Sequence, residues 1–421
     1  MKGVIMKKVL VLGTGAQGST VARRLDQHPN VETIICADYD EKAATEVAKT
    51  MTKAVPATVD AHDHDDIVRL AQGCDLLVNA LPLEFAKNVL EAAIEAGCHY
   101  QDFAAGSLYE ETQSPEEGVR LWVKSIKEMY DDYGPRFAEK GKLAIIGTGS
   151  APGFMCVVAR RAVRELDECE SVYINLYEGL EAKRFLPFWW SPVTALGDMA
   201  SMGVSYENGE FCYNEGFSKP IRVKYEEMDR EVMLVEHAHD EPVYMGYNAD
   251  TFFKGARNCF FKYGGYGIDF AYPLKRAGLL SHEEEEINGR KAVPFDMILA
   301  HIPPAPKYND EIQEILDEGI VKDEGFNVAE LHGTKDGKKV RVEAHVSSLD
   351  IFDAFERFKL TAEMYFTGQG GYLFSRLFVE DKYDQTGLIS SDMLSEEQVD
   401  YYLQCAEEYD ITVDVKVFDE E

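Results

Sequence analysis

The chain has 421 residues, 45% of them hydrophobic and 11% aromatic. That is enough for two or three domains with real cores, and it excludes a disordered chain. The formal net charge is −32, from 75 acidic and 43 basic residues. Such a surface repels phosphate backbones and anionic lipid, so neither a nucleic-acid nor a membrane partner is expected, although a locally basic pocket for an anionic substrate stays open.

The run Lys8–Leu12 is short and apolar, as a buried parallel strand is. Gly13-Thr14-Gly15-Ala16-Gln17-Gly18 follows at once, and a helical pattern begins behind it in STVARRLDQH. This is GxGxxG in the strand–turn–helix context that gives it meaning. Gly13 permits the tight turn, Gly15 lets backbone approach a pyrophosphate, and Gly18 allows close helix–strand packing. The N–H groups of the helix start, at Ala16 and Gln17, face the anion. A second apolar run, VETIICA, ends in Asp38, twenty residues beyond Gly18. An acid there accepts the adenosine ribose hydroxyls and repels a 2′-phosphate. The nearest basic residue after it is Lys42. NAD is therefore expected over NADP, with Asp40 the rival acid if the strand runs longer.

The alternation continues. Residues 54–60 predict a third strand, 63–72 a helix, 74–81 a fourth strand and 85–97 a helix ending on Gly97. Asn79, Ala80, Leu81 and Pro82 fall at the carboxyl end of the fourth strand, where open α/β sheets hold ligands. Residues 99–104 and 142–147 predict two more strands, with a long helix across 116–141. Together these imply a Rossmann, doubly wound parallel sheet. Beyond 170 the rhythm breaks. SVYINLY, PIRVKYEEM and KKVRVEAHVS read as strands of a mainly antiparallel sheet in a second, α+β domain, DGKK as a hairpin turn, and HEEEEINGR as a solvated acidic loop.

The eight cysteines (Cys36, Cys74, Cys98, Cys156, Cys169, Cys212, Cys259, Cys405) are scattered without a CxxC pair. They read as reduced core residues of a cytoplasmic protein. The start, MKGVIMKKVLVLG, runs into a strand without a signal-peptide core, and no apolar stretch reaches the ~18 residues of a membrane span. His237-Ala238-His239-Asp240 and the His62/His64 pair are the densest ligand-type clusters; neither has partners at a known metal spacing, so no metal is expected.

In their order, GTGAQG (13–18), VNALP (78–82), EAAIEAGCHYQD (91–102), GSAPGF (149–154), FWWSP (188–192), YGGYGIDFAYPLKRAGLL (263–280) and TGQGGYLFSRLF (367–378) resemble the saccharopine dehydrogenase superfamily over nearly the whole chain. The resemblance implies a cofactor domain over 1–150, an α+β substrate and dimerisation domain over 151–360, and a segment over 361–421 returning to the first. It also implies an NAD-dependent dehydrogenase or reductase acting on a CH–NH or CH–NH2 bond of an amino acid, with lysine, saccharopine and a carboxylated polyamine as candidate substrates, and a homodimer.

Asp102 matches the superfamily's acid after His-Tyr, and would hold a substrate ammonium or move its proton; a turn acid is the plain alternative. His99, on the other face of the strand, reads as structural. Arg184 and Arg257 lie beside aromatic runs and are candidates to grip a carboxylate, against the alternative of surface ion pairs. Trp190 would line the substrate site, and Tyr263 or Lys262 would transfer a proton. Two other functions remain open: a non-catalytic NAD-binding sensor or scaffold, and an oxidoreductase for an unrelated carbonyl or alkene.

Overall fold

The computed structural model describes residues 5–109 and 114–420. The chain divides into two compact units. The first comprises Met1–Gln113, Arg120–Arg161 and Met364–Thr412; the second comprises Ser114–Val119, Ala162–Glu363 and Val413–Glu421.

Unit 1 alternates strand and helix: β1 (Lys7–Leu12), α1 (Ala16–Gln27), β2 (Val31–Asp38), α2 (Glu41–Ala48), β3 (Ala54–Thr58), α3 (His64–Ala71), β4 (Leu76–Asn79), α4 (Ala86–Ala96), β5 (His99–Asp102) and β6 (Leu143–Ile146). Among the described residues the sheet has seven strands, in the order Gly387–Ser390, β6, β5, β4, β1, β2, β3. The strand pairs are parallel. The order reverses between β1 and β4, and that reversal opens a crevice at their carboxyl ends. Local chemistry sets the elements. Val9–Leu12 and all of β4 are buried, as strands covered on both faces require. Asp63 caps α3, accepting N–H bonds from Asp65 and Asp66. Gly97 ends α4 in the left-handed conformation at φ 71°.

The single helix expected over 116–141 is interrupted. Pro115–Glu128 passes into a wide π-type turn, Met129–Tyr133, before Gly134–Glu139. Pro135 has no N–H to continue the regular ladder, which accounts for the widening there.

Unit 2 is built on a mixed sheet of nine strands among the described residues. At its centre Glu168–Glu178 runs parallel to Asn258–Gly265 and antiparallel to Gly325–Lys335. Gly325–Lys335 turns back into Lys338–Ser347 through Asp336-Gly337, both with positive φ (52° and 74°), the hairpin that DGKK predicts. HEEEEINGR is not a plain loop: Glu285–Ile287 pairs with Arg290–Ala292 across Asn288-Gly289, at φ 55° and 74°. The Asn-Gly turn, not the acidic run before it, decides the local conformation there. The end of the chain also departs from expectation. Thr412–Asp419 pairs with Lys338–Ser347, so the last residues complete the sheet of unit 2 instead of staying with the cofactor unit.

No helix among the described residues is long and apolar enough to cross a membrane. All eight cysteines are free, and only Cys212 is not buried. Burial pushes the thiols of Cys36, Cys98 and Cys169 up to about 12 and that of Cys74 up to about 11. The native protein is therefore expected to titrate about one thiol with a disulfide reagent, at Cys212, and all eight after unfolding. Fast reaction of several thiols in the native state would contradict this packing.

Candidate functional site

In unit 1 the glycine turn lies at the crevice. The Gly13 N–H donates to the Ala37 carbonyl at 2.8 Å, and its φ of +86° suits glycine. A Cβ on Gly13 would stand 2.7 Å from the Ala80 carbonyl oxygen, and one on Gly18 would stand 2.0 Å from the Gly13 oxygen. Both positions are therefore filled by backbone. Around Gly15 nothing lies within 4 Å of the Cβ position, and this residue caps α1 without a side-chain acceptor for the helix N–H groups. Open space in front of a helix start is what a pyrophosphate needs. Ala16 and Gln17 open that helix, so the residues present fit the adenine dinucleotide's phosphates.

Asp38 ends β2, buried. Its Oδ2 accepts the Thr14 N–H at 2.7 Å and the Thr14 hydroxyl at 2.8 Å, and its Oδ1 accepts the Asp40 N–H at 3.1 Å. Its carboxylate is thus oriented by the glycine turn. Asp40, the rival, is the N-cap of α2, accepting the Lys42 N–H at 2.9 Å.

At the ends of β4, β5 and β6 a buried polar chain runs across the sheet. Asn79 accepts the Leu81 N–H at 3.2 Å and donates through Nδ2 to the Tyr100 oxygen at 3.1 Å. The Tyr100 hydroxyl donates to Asp102 Oδ2 at 2.9 Å, and the Gly147 N–H donates to Asp102 Oδ1 at 2.8 Å. Burial and the neighbouring Asp102 push the Tyr100 hydroxyl well above its ordinary value, so it stays a donor. Asn79, Ala80, Leu81 and Pro82 form the loop that faces Gly13: the Ala80 N–H bonds the Leu12 carbonyl at 2.8 Å, and Pro82 leads into the short turn Leu83–Phe85. Sequence reasoning missed Gln101, which is fully buried and joins the Thr148 hydroxyl at 3.0 Å and the Gly371 carbonyl at 2.7 Å. Its only sequence signal is a polar residue inside a short core strand. His99 accepts the Leu143 N–H at 3.0 Å, and burial and the nearby Lys142 hold its imidazole down to about 4.

Residues 9–145 match the family model described as the saccharopine dehydrogenase NADP binding domain. The match falls on the first stretch of the cofactor unit, from β1 through β6. The resemblance seen in the sequence is thus supported over this stretch, and the matching model is one for a nicotinamide dinucleotide. Two solved structures share the fold. Saccharopine dehydrogenase (L-Glu forming) from Saccharomyces cerevisiae is 15% identical, with 98% of this chain and 100% of that one covered at a TM-score of 0.68. Homospermidine synthase from Legionella pneumophila, in complex with NAD, is 10% identical, with 99% of this chain and 91% of that one covered at a TM-score of 0.65.

In unit 2 the Tyr263 hydroxyl donates to the Glu178 carboxylate, which Trp190 also hydrogen-bonds. Burial, then Glu178, raises the phenol well above its ordinary value, and burial raises Glu178. Lys262, the alternative proton-transfer group, is 2% exposed; its ammonium meets Glu236 at 3.1 Å and the Lys219 carbonyl at 3.0 Å. Arg184 is gripped by Glu318 at 2.6 Å and by Glu314 at 3.0 Å, a surface ion-pair set. Arg257 donates to the Asn208 carbonyl at the start of the strand that carries Tyr263, and lines a surface cleft with Glu168, Glu170 and Lys254. The structure brings Trp190 and Tyr263 together and gives both arginines other partners. Arg184→Gln and Arg257→Gln are accordingly expected to change KM for any substrate by no more than about twofold, checked by steady-state kinetics.

Proposed function

We propose that the protein is an NAD-dependent oxidoreductase acting on a CH–NH or CH–NH2 bond of an amino acid, with lysine, saccharopine or a carboxylated polyamine as substrate, working in the cytoplasm as a homodimer. The observation that carries the cofactor part is the cradle at Gly13, Gly15 and Gly18 with Asp38 oriented beside it. When bound, the nicotinamide supplies the hydride acceptor for the carbon next to nitrogen. The chain's own residues do the rest. Gly15 leaves room for the pyrophosphate, and Asp38 is held by Thr14 so that a carboxylate, hostile to a 2′-phosphate, meets the ribose. Asp102, committed to Tyr100 and Gly147, positions the loop after β6. Tyr263, kept protonated beside Glu178, holds a proton in unit 2.

The test is a spectrophotometric screen of NAD+ and, separately, NADP+ reduction with L-lysine, saccharopine and related diamines. Turnover with NAD+ and one amine supports the reading. Tight NADH binding without turnover of any amine would point to the sensor reading. Asp38→Ala is expected to raise KM for NAD+ by about tenfold to a hundredfold, with a smaller effect on NADP+. An equal rise for both cofactors would remove Asp38 from cofactor choice.

A further inference from the structure

In unit 2 the chain leaves the strand Ser218–Val223 through Lys224-Tyr225-Glu226-Glu227-Met228. Tyr225 and Met228 are each 4% exposed and share one core cluster with Val232, Leu234, Phe326 and Val328. The Met228 N–H donates to the Tyr225 carbonyl at 3.1 Å. The two apolar side chains thus anchor a tight turn in the core, and its central residues, Glu226 and Glu227, are held at the surface.

His345, on the strand Lys338–Ser347, reaches the same place from 118 residues away. Its ring is 4% exposed and stands edge-to-face with Tyr225, centroids 5.7 Å apart. Its Nδ1 lies 2.7 Å from Glu227 Oε1, and its Nε2 lies 3.1 Å from Glu343 Oε2. Arg341 takes the other Glu343 oxygen at 3.1 Å. Glu226, Glu227 and His345 each offer one ligand atom, and the three atoms lie within 4.8 Å of one another, the one group of this kind among the described residues.

Three features distinguish this set from a plain surface ion pair. The far imidazole nitrogen is tied to a carboxylate that an arginine holds in turn, which is how a ring is oriented behind a metal-bound histidine. The turn brings two carboxylates to the near nitrogen, where an ion pair needs one. Lys416, which pairs with Glu226, also has Asp414 at 3.4 Å, so Glu226 can be released to another cation. Zinc bonds of about 2.0–2.2 Å set tetrahedral ligand atoms about 3.4 Å apart. Nδ1 and Glu227 already lie within that separation, and Glu226, with its side chain 61% exposed, is free to close the rest.

We propose that Glu226, Glu227 and Nδ1 of His345 bind a divalent transition-metal ion of the zinc type, with water completing the coordination and Glu343 fixing the imidazole from behind. An imidazole beside two carboxylates suits zinc, whereas magnesium and calcium prefer oxygen ligands alone. Burial lowers the imidazole, but Glu227 and Glu343 outweigh it and bring it up to about 9. Near neutral pH a proton on Nδ1 therefore supplies the positive charge, and the ion exchanges for it. Bound there, the ion ties the turn to the strand Lys338–Ser347, a structural role that does not rest on the oxidoreductase reading.

The experiment is calorimetric titration of the chelator-treated full chain with zinc chloride and, separately, with magnesium chloride, followed by thermal melts. Zinc should fill one tight site and raise the melting temperature by about 5–10 °C at a hundredfold excess over Kd. Magnesium should do neither. Glu343→Gln, an isosteric change behind the imidazole, should weaken zinc binding about tenfold to a hundredfold. Glu226→Gln and Glu227→Gln, at exposed positions, should weaken it at least as much while the metal-free melting temperature stays put. Absence of a tight zinc site, zinc affinity indifferent to Glu226→Gln and Glu227→Gln, or magnesium bound as tightly as zinc overturns the proposal. None of these readings needs cofactor or substrate, so the site and the oxidoreductase reading fail separately.

Discussion

Gly15→Ala is expected to cost most of the affinity for NADH while leaving the melting temperature unchanged. The residue has an ordinary φ of −67°, and nothing in the protein lies within 4 Å of the added methyl, so the fold has no reason to resist it. The methyl does occupy the space in front of α1 where the pyrophosphate must approach backbone. A loss of about 2–3 kcal/mol, or about thirtyfold to 140-fold in Kd, is the expected scale. Gly18→Ala is the companion. Its Cβ would meet the Gly13 carbonyl oxygen at 2.0 Å, so the turn itself must shift. That variant should lose both NADH affinity and stability, the latter by about 1–3 kcal/mol. Fluorescence titration with NADH and a thermal melt on each variant separate the two effects. Full NADH affinity in Gly15→Ala would mean that the cofactor does not use this turn.

Asp102→Ala should cost stability before it costs chemistry. The carboxylate is 3% exposed and accepts from Gly147 N–H and from the Tyr100 hydroxyl. Removing it leaves two buried donors without this acceptor, at about 1–3 kcal/mol each. The sum, about 2–6 kcal/mol, is a large share of the 5–15 kcal/mol typical of a folded domain. Asp102→Asn is milder but still faulty. Its amide has one acceptor oxygen, so one of the two donors now meets an N–H group instead. The urea midpoint should fall in both variants, further in the alanine. An unchanged midpoint in Asp102→Asn together with a collapsed kcat would assign Asp102 to the reaction itself, the role its place after His-Tyr first suggested.

The cofactor unit was legible because its determinants are local. A strand, a turn that needs glycine and a helix start follow one another within a dozen residues, and Asp38 is placed by the length of a single strand. Backbone conformation and close approach can be read from residue type alone at such positions. The hairpin at Asp336-Gly337 was legible for the same reason. The hairpin at Asn288-Gly289 carries the same signal, hidden behind a run of glutamates.

Side-chain partnership was not legible, because it depends on which strands lie beside each other. Asp102 reads as a reactive acid at a strand end until β6 is laid next to β5 and its Gly147 N–H claims the carboxylate. The meeting of Tyr263 and Glu178 in unit 2 depends on the same kind of placement. Tyr263 lies opposite Leu176 in the parallel pair, so Glu178, two residues on, shares its face. By itself, then, the amino-acid sequence determined a nucleotide-binding turn and the acid beside it, since both follow from what one short stretch of backbone allows. Only the tertiary structure decided which acids are spent on holding loops and which stand beside a phenol or an imidazole, since those follow from strand order, as across the more than eighty residues of chain between Glu178 and Tyr263.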